Sequence, residues 1–223
     1  MITANVIHRV FRIRCGTGTG TVFALDVDDK QYLVTAKHVL PGVPSPLKVD
    51  IFSNGNWTDL PVTLVGHAPA EIDVSVLATD RQLTPSELPL EPTSAGAVYG
   101  QEVFFLGYPY GIIGKYLFGP EGSPLPLVKR ATLSLFCGNV WLLDGHNNPG
   151  FSGGPVVFIR PGTKDFKVAG VISGFQATEE PVLLSGGQLT PFVYRYNTGI
   201  IVCHLIDNAV ALIKANPIGV SLH

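Results

Sequence analysis

Glycine and proline punctuate this chain so densely, 25 and 18 times in 223 residues, that little of it can run as uninterrupted helix. The segments between the breaks are short and rich in β-branched and aromatic residues, which favour strands. In the first half they are Val6–Arg14, Thr19–Asp26, Gln31–Ala36, Leu47–Ser53, Leu60–Gly66 and Val74–Thr79. In the second half they are Glu102–Gly107, Leu127–Phe136, Val140–Leu143, Pro155–Arg160, Lys167–Ser173 and Phe192–Val202. A Pro/Ser/Glu-rich stretch, Thr84 to Gly100, predicts a connection between two lobes. Two stretches with Gly and Pro, Tyr108–Pro126 and Glu180–Pro191, predict loops of the kind that bind ligands or act as lids. The last segment, Cys203–Ala215, sets Leu205, Ala209, Leu212 and Ile213 on one helical face, with Asp207 near its start and Lys214 near its end. The pattern predicts an all-β fold of two small antiparallel six-stranded barrels with a short C-terminal helix. Residues 1–83 form the first barrel, 84–100 the connection, 101–202 the second barrel and 203–215 the helix.

Charge narrows the possible partners. The net charge is -2, and no run of Lys or Arg exists that could serve nucleic acid or an anionic membrane. No segment approaches the ~18 uninterrupted apolar residues of a membrane-spanning helix. Three scattered cysteines, Cys15, Cys137 and Cys203, argue against a disulfide framework and for a reducing compartment. The first fifteen residues alternate apolar and polar side chains and lack the apolar core of a signal peptide. A cytoplasmic location is the resulting expectation.

Three local patterns carry chemistry. In Asn148-Pro149-Gly150-Phe151-Ser152-Gly153-Gly154-Pro155, glycines flank a serine. A serine hydroxyl attacks a carbonyl only when a base takes its proton, and the oxyanion then formed needs hydrogen-bond donors. Glycines let the backbone turn so that successive N–H groups converge, and Gly150 and Ser152 are the expected donors. In Tyr32-Leu33-Val34-Thr35-Ala36-Lys37-His38, an apolar strand ends at a histidine, whose ordinary pKa of ~6.5 suits a general base. In Glu71-Ile72-Asp73-Val74-Ser75-Val76-Leu77, an acid heads an apolar strand and could accept the His38 Nδ1–H bond. Glu71 and Asp80 compete with Asp73, which is preferred because the apolar residues after it would anchor it.

Taken together the three patterns resemble the trypsin-like peptidase superfamily. Thr35-Ala36-Lys37-His38 is similar to its histidine motif, Asp73-Val74-Ser75-Val76-Leu77 to its aspartate motif, and Gly150-Phe151-Ser152-Gly153-Gly154-Pro155 to its serine motif, in the same chain order. The resemblance runs from about Cys15 to Ile201. It implies a chymotrypsin-like serine endopeptidase that acts on polypeptides without a cofactor or metal, with His38, Asp73 and Ser152 catalytic. Gly107-Tyr108-Pro109-Tyr110-Gly111 and Gly18-Thr19-Gly20-Thr21-Val22 are similar to segments of bacterial HtrA-type peptidases. No PDZ-like extension follows, so the resemblance covers the catalytic domain alone.

The departures from the secreted digestive pattern are informative. Val39 replaces the cysteine beside the histidine, and Phe151 replaces the aspartate that pairs with a freed N-terminus. The resemblance therefore implies no trypsin-style zymogen switch. By the same resemblance, Ser173-Gly174-Phe175 would form the substrate-binding edge, to which an extended peptide adds as an antiparallel strand. Gly199 would line the primary pocket, and His146 would fall near its base. His146 brings no fixed negative charge, so a preference for Lys or Arg is not expected.

Other signals are discounted. Gly16-x-Gly18-x-Gly20 lacks Walker spacing and runs into a strand. Asn56-Trp57-Thr58 is a chance-level glycosylation triplet. His67, His146 and His204 are scattered, and the cysteines lack zinc spacing. Trp57 and Trp141 read as packing residues. An α/β-hydrolase would also satisfy G-x-S-x-G, but it needs a helix after the serine, with the acid and histidine later in the chain. Here Val156-Val157-Phe158-Ile159 reads as strand. A catalytically silent protease fold that binds peptides is the remaining alternative.

Overall fold

The first six strands close on themselves. In the computed structural model, which describes residues 2–40, 48–86, 90–112 and 124–222, they are β1 (Val10–Cys15), β2 (Gly18–Val27), β3 (Lys30–Thr35), β4 (Lys48–Ser53), β5 (Asn56–His67) and β6 (Ser75–Thr79). They pair in the order β3-β2-β1-β4-β5-β6, and β6 returns to β3. Alternation along β2 decides what each side chain meets. Val22 and Ala24 point into the barrel with Ile13, Leu33, Val49, Leu60 and Leu77. Phe23 and Leu25 point outward into a second core. Both faces of β2 are thus covered, which accounts for its long buried run.

The second half repeats the closure. After the short β7 (Glu91–Pro92) come β8 (Glu102–Gly107), β9 (Leu127–Cys137), β10 (Val140–Asp144), β11 (Pro155–Ile159), β12 (Phe166–Leu183) and β13 (Leu189–Leu205). The order is β11-β8-β9-β10-β13-β12, with β12 back on β11 and β7 added parallel to β12. Val103, Phe105, Leu133, Trp141, Phe151, Val156, Phe158 and Ile201 fill this barrel. The core between the barrels joins Phe23, Val34 and Val76 of the first to Leu106, Tyr108, Val157 and Val171 of the second. The last elements are the helix α2 (Asp207–Ala215) and β14 (Val220–Ser221), which returns to the first barrel and pairs with β3. Two six-stranded antiparallel barrels with a short C-terminal helix is the architecture expected from the sequence.

Three boundaries differ from expectation. Val6 does not begin a strand; it is buried on a single helical turn, α1 (Ala4–Ile7), because one turn carries it into the inter-barrel core as well as a strand would. Cys203 and Leu205 do not begin the helix; Cys203 pairs with Trp141 inside the barrel, and helix starts only at Asp207. Glu180–Pro191 is mostly strand, not loop, with a tight turn where Leu184 N–H donates to Gln188 (2.9 Å). Exposure hid it, since neither face of this hairpin carries the apolar alternation of a buried strand. Of the expected Tyr108–Pro126 loop, residues 113–123 lie outside the described residues. Ser152 is followed by strand β11, as two barrels require and an α/β-hydrolase does not.

Candidate active site

His38 sits in a 3₁₀ turn, Lys37–Val39, directly after β3. Val39 and Leu40 bury themselves in the first barrel and leave the imidazole half exposed. Asp73 precedes β6, whose residues Ser75 to Leu77 are fully buried, as is Val74. That packing brings the carboxylate to His38 by two bonds. Oδ1 accepts the His38 backbone N–H (2.9 Å), and Oδ2 lies 2.6 Å from His38 Nδ1. Glu71 and Asp80 are exposed and make no bond to His38.

The serine segment is held from three sides. Phe151 is fully buried, its ring edge-on to Phe105 (4.9 Å), so it anchors the turn in the second barrel. Pro149 carbonyl accepts from Tyr110 N–H (2.9 Å). Thr21, on the first barrel, donates its hydroxyl to Gly150 carbonyl (2.8 Å) and its N–H to Ser152 carbonyl (2.8 Å). In a trans peptide the N–H points opposite the preceding carbonyl. Tethering Pro149 to Tyr110 and Phe151 to Gly154 N–H (2.8 Å) therefore aims the Gly150 and Ser152 N–H groups away from those contacts. Neither donates to any of the described residues. Gly150 has φ +108°, and a side chain there would run into the Tyr108 carbonyl.

Ser173 connects the halves of the site. Its hydroxyl donates to Asp73 Oδ2 (2.6 Å), and its carbonyl accepts the Ser152 hydroxyl (3.0 Å). Among the described residues no hydrogen bond joins Ser152 Oγ to His38; the hydroxyl is turned to Ser173 instead. Burial pushes the Asp73 carboxyl upward, but the bonds from His38 and Ser173 outweigh it and hold the pKa at about 2. A carboxylate depressed in the folded state contributes stability that is present above its unfolded pKa and lost as pH falls through the folded one. The gap corresponds to about 2 kcal/mol. The stability difference between the parent and Asp73→Asn, measured by denaturant unfolding, should be largest at neutral pH. It should narrow as pH drops from the ordinary aspartate value of 3.8 to about 2.

The residues expected to bind substrate are partly gathered. Ser173, Gly174 and Phe175 lie together on β12, and Gly174 has open space where a side chain would be. Gly199, at φ +82°, accepts from Gly145 N–H (2.9 Å) and donates to Asn197 Oδ1 (2.9 Å). Asn197 in turn donates to the Asn147 carbonyl (2.7 Å), so Gly199 adjoins the segment that carries His146. The His146 side chain is exposed, and its carbonyl is taken by Lys129 Nζ. Lys129 also donates to Asn148 Oδ1 (3.0 Å), and partial burial lowers its pKa.

Sequence reading missed Thr21, Lys129, Asn147, Asn197 and the Ser173 hydroxyl. Only Asn197 gave a usable signal, as the head of the turn-like triplet Asn197-Thr198-Gly199. Thr21 is the most consequential. Its Oγ1 also accepts the Tyr108 N–H (3.2 Å). Thr21→Val keeps the shape but leaves that buried N–H and the Gly150 carbonyl without their partner. It should cost about 1–3 kcal/mol in denaturant unfolding.

Two barrels with a histidine and an aspartate from the first facing a serine from the second define a chymotrypsin-like serine peptidase fold. The profile of the trypsin-like peptidase domain matches residues 18–161, and the chain belongs to that family. No curated protein matches it by sequence. Among solved structures it is similar to the serine endoprotease of Yersinia pestis (19% identity, TM-score 0.60), covering 95% of this chain and 63% of that one. It is similar to the HtrA-type protease AlgW solved with a tripeptide (19% identity, TM-score 0.61), covering 95% and 61%. The MamO protease domain of Magnetospirillum magneticum is similar over 94% of this chain and 98% of its own (14% identity, TM-score 0.55). The chain thus spans about three fifths of the first two structures.

Proposed function

We propose that this chain is a serine endopeptidase in which Ser152 is the nucleophile, His38 the general base and Asp73 the group that orients His38. The supporting observation is the shared hydrogen-bond chain in which Asp73 Oδ2 meets both His38 Nδ1 and the Ser173 hydroxyl, while the Ser173 carbonyl holds the Ser152 hydroxyl. A peptide pairing with β12 offers a backbone N–H to that same carbonyl. Seating of the substrate then displaces the Ser152 hydroxyl, which turns toward His38. His38 takes the proton as Oγ bonds to the carbonyl carbon, and the Gly150 and Ser152 N–H groups receive the oxyanion. The imidazolium, held by Asp73, gives its proton to the leaving amine as the peptide bond breaks. Water, deprotonated by His38, then attacks the acyl-serine and releases the acid.

The orientation of the Ser152 hydroxyl also favours a second reading, a site that stays closed until a partner or substrate opens it. Reaction with a fluorophosphonate, which phosphonylates activated serines, tests the first reading. The probe should label Ser152 in the folded chain and should not label His38→Ala. Absence of label in the presence of an unfolded protein substrate would exclude the peptidase reading and favour a binding module.

A further inference from the structure

Strand β12 pairs with β11 only as far as Val171, and beyond Phe175 it runs out with β13 as a two-stranded arm. The arm is largely exposed, and the rings of Tyr194 and Tyr196 stack along it (5.8 Å). Among the described residues no strand pairs with the other edge of β12 past Val171. Three observations indicate which backbone groups face that edge. The Ser173 carbonyl faces Ser152, away from β13. The Gln176 carbonyl accepts from Thr198 Oγ1 of β13 (2.8 Å) and so faces inward. Pro181, which has no N–H, is tolerated within a strand where its nitrogen faces an open edge.

In an antiparallel ladder the N–H and C=O of one residue face the same side, and adjacent residues face opposite sides. Past the register shift between Ile172 and Gly174, Phe175, Ala177 and Glu179 therefore turn both groups to the open edge, and Ser173 turns its carbonyl there, its N–H lying opposite the Ile172 carbonyl that bonds Gly153. The bulge between Phe175 and Ala177 leaves this alternation intact. Its additional residues lie on β13, which advances from Ile201 to Asn197 while β12 advances from Phe175 to Ala177. An open edge of this length invites pairing unless it is blocked, and the first proline along it is Pro181. The edge is continuous with the one that would seat the residue under attack at Ser152.

We propose that the arm prolongs the substrate-binding edge, so that the preferred substrate is an extended polypeptide paired with β12 from Ser173 to Glu179. The first, third, fifth and seventh residues before the cleaved bond lie opposite Ser173, Phe175, Ala177 and Glu179. Pro181 offers no N–H to a ninth. Strand addition reads backbone rather than side chains. The selected feature is therefore an unfolded stretch of at least seven residues on the N-terminal side of the bond. The assignment of register rests on Ser152 as the point of attack.

The test measures binding to the Ser152→Ala chain by fluorescence anisotropy, so it does not depend on turnover. The probes are fluorescein-tagged alanine- and threonine-rich host peptides with three, seven or nine residues before a common Leu-Ala. The seven-residue peptide should bind about tenfold or more tighter than the three-residue one, since it adds four backbone hydrogen bonds of modest net worth, and the nine-residue peptide should add little. N-methylation of its seventh residue, or Glu179→Pro in the protein, should remove much of that gain. The three-residue peptide ends short of Glu179 and should bind the Glu179→Pro chain as it binds the parent. Equal binding of short and long peptides, no binding of the long one, or indifference to both modifications overturns the proposal. A dimer in sedimentation that Glu179→Pro abolishes, with no peptide effect, overturns it in favour of a second copy on the edge. Length-dependent binding by the Ser152→Ala chain, with a parent chain that never reacts with fluorophosphonate, would instead fault the catalytic reading and leave the arm's role standing.

Discussion

Replacing Ser152 by alanine should lower peptide hydrolysis by at least about four orders of magnitude and leave the fold intact. In the proposed mechanism Oγ is the atom that forms the acyl bond, and neither the Gly150 and Ser152 N–H groups nor His38 can replace it. The structural cost is small, because the hydroxyl makes a single hydrogen bond, to the Ser173 carbonyl. Losing one such bond costs about 1 kcal/mol. The thermal midpoint should therefore shift by only about 2–4 °C. Activity against an unfolded protein substrate and a thermal melt on the same preparation check both halves. Retention of activity within tenfold of the parent in pure protein would remove Ser152 from the mechanism.

Gly153→Ala should be among the most destabilising single substitutions in the chain, at about 3 kcal/mol or more. Two causes add. Gly153 has φ +85°, where an L side chain is strained, and the new methyl would run into the Thr21 carbonyl and the Thr35 hydroxyl, with the Ala36 nitrogen at 2.9 Å. Thr35 and Ala36 belong to the strand and turn that carry His38, and Thr21 to the neighbouring β2, so the clash is relieved only by moving the support of His38. Gly162 separates the two causes. It has φ +82° with nothing within 4 Å, so Gly162→Ala meets the strain without the clash. It should cost about 1–2 kcal/mol. A Gly153→Ala variant no less stable than Gly162→Ala would show that the serine turn is not wedged against the first barrel as described.

The barrels were readable because buried strands advertise themselves. Val22 to Leu25 are apolar throughout and Val74 to Leu77 at all but Ser75, and Gly20, Asp26, Asp73 and Asp80 stand at or near their ends. His38, Asp73 and Ser152 stood out in the sequence because each sits beside such a strand, in a pattern whose chemistry restricts the residue type. The arm was read only from Phe192 onward. Gln176 to Pro191 packs against no core, so its sequence carries no alternation, and Pro181 and Pro191 imitate loop punctuation. Thr21 was equally silent. It lies one residue beyond Gly20 in a strand of small residues, and only the approach of the second barrel gives its hydroxyl two partners. Contacts between barrels depend on where two closed sheets touch, which no local window of residues records.

The return of β14 to β3 carries a consequence for the integrity of the molecule. The polypeptide passes from the first barrel to the second after β6 and comes back through α2, which lays Leu212 over Gly66 and Asn216 on the Val65 carbonyl (3.1 Å). Two separate tethers therefore join the halves. A protease that cuts the connection after β6 separates the chain covalently, but the fragment with the second barrel still docks α2 and β14 on the first, and that docking holds the barrels together at high effective concentration. Such a nicked molecule should run as two bands in denaturing gels yet migrate as one particle in its native state.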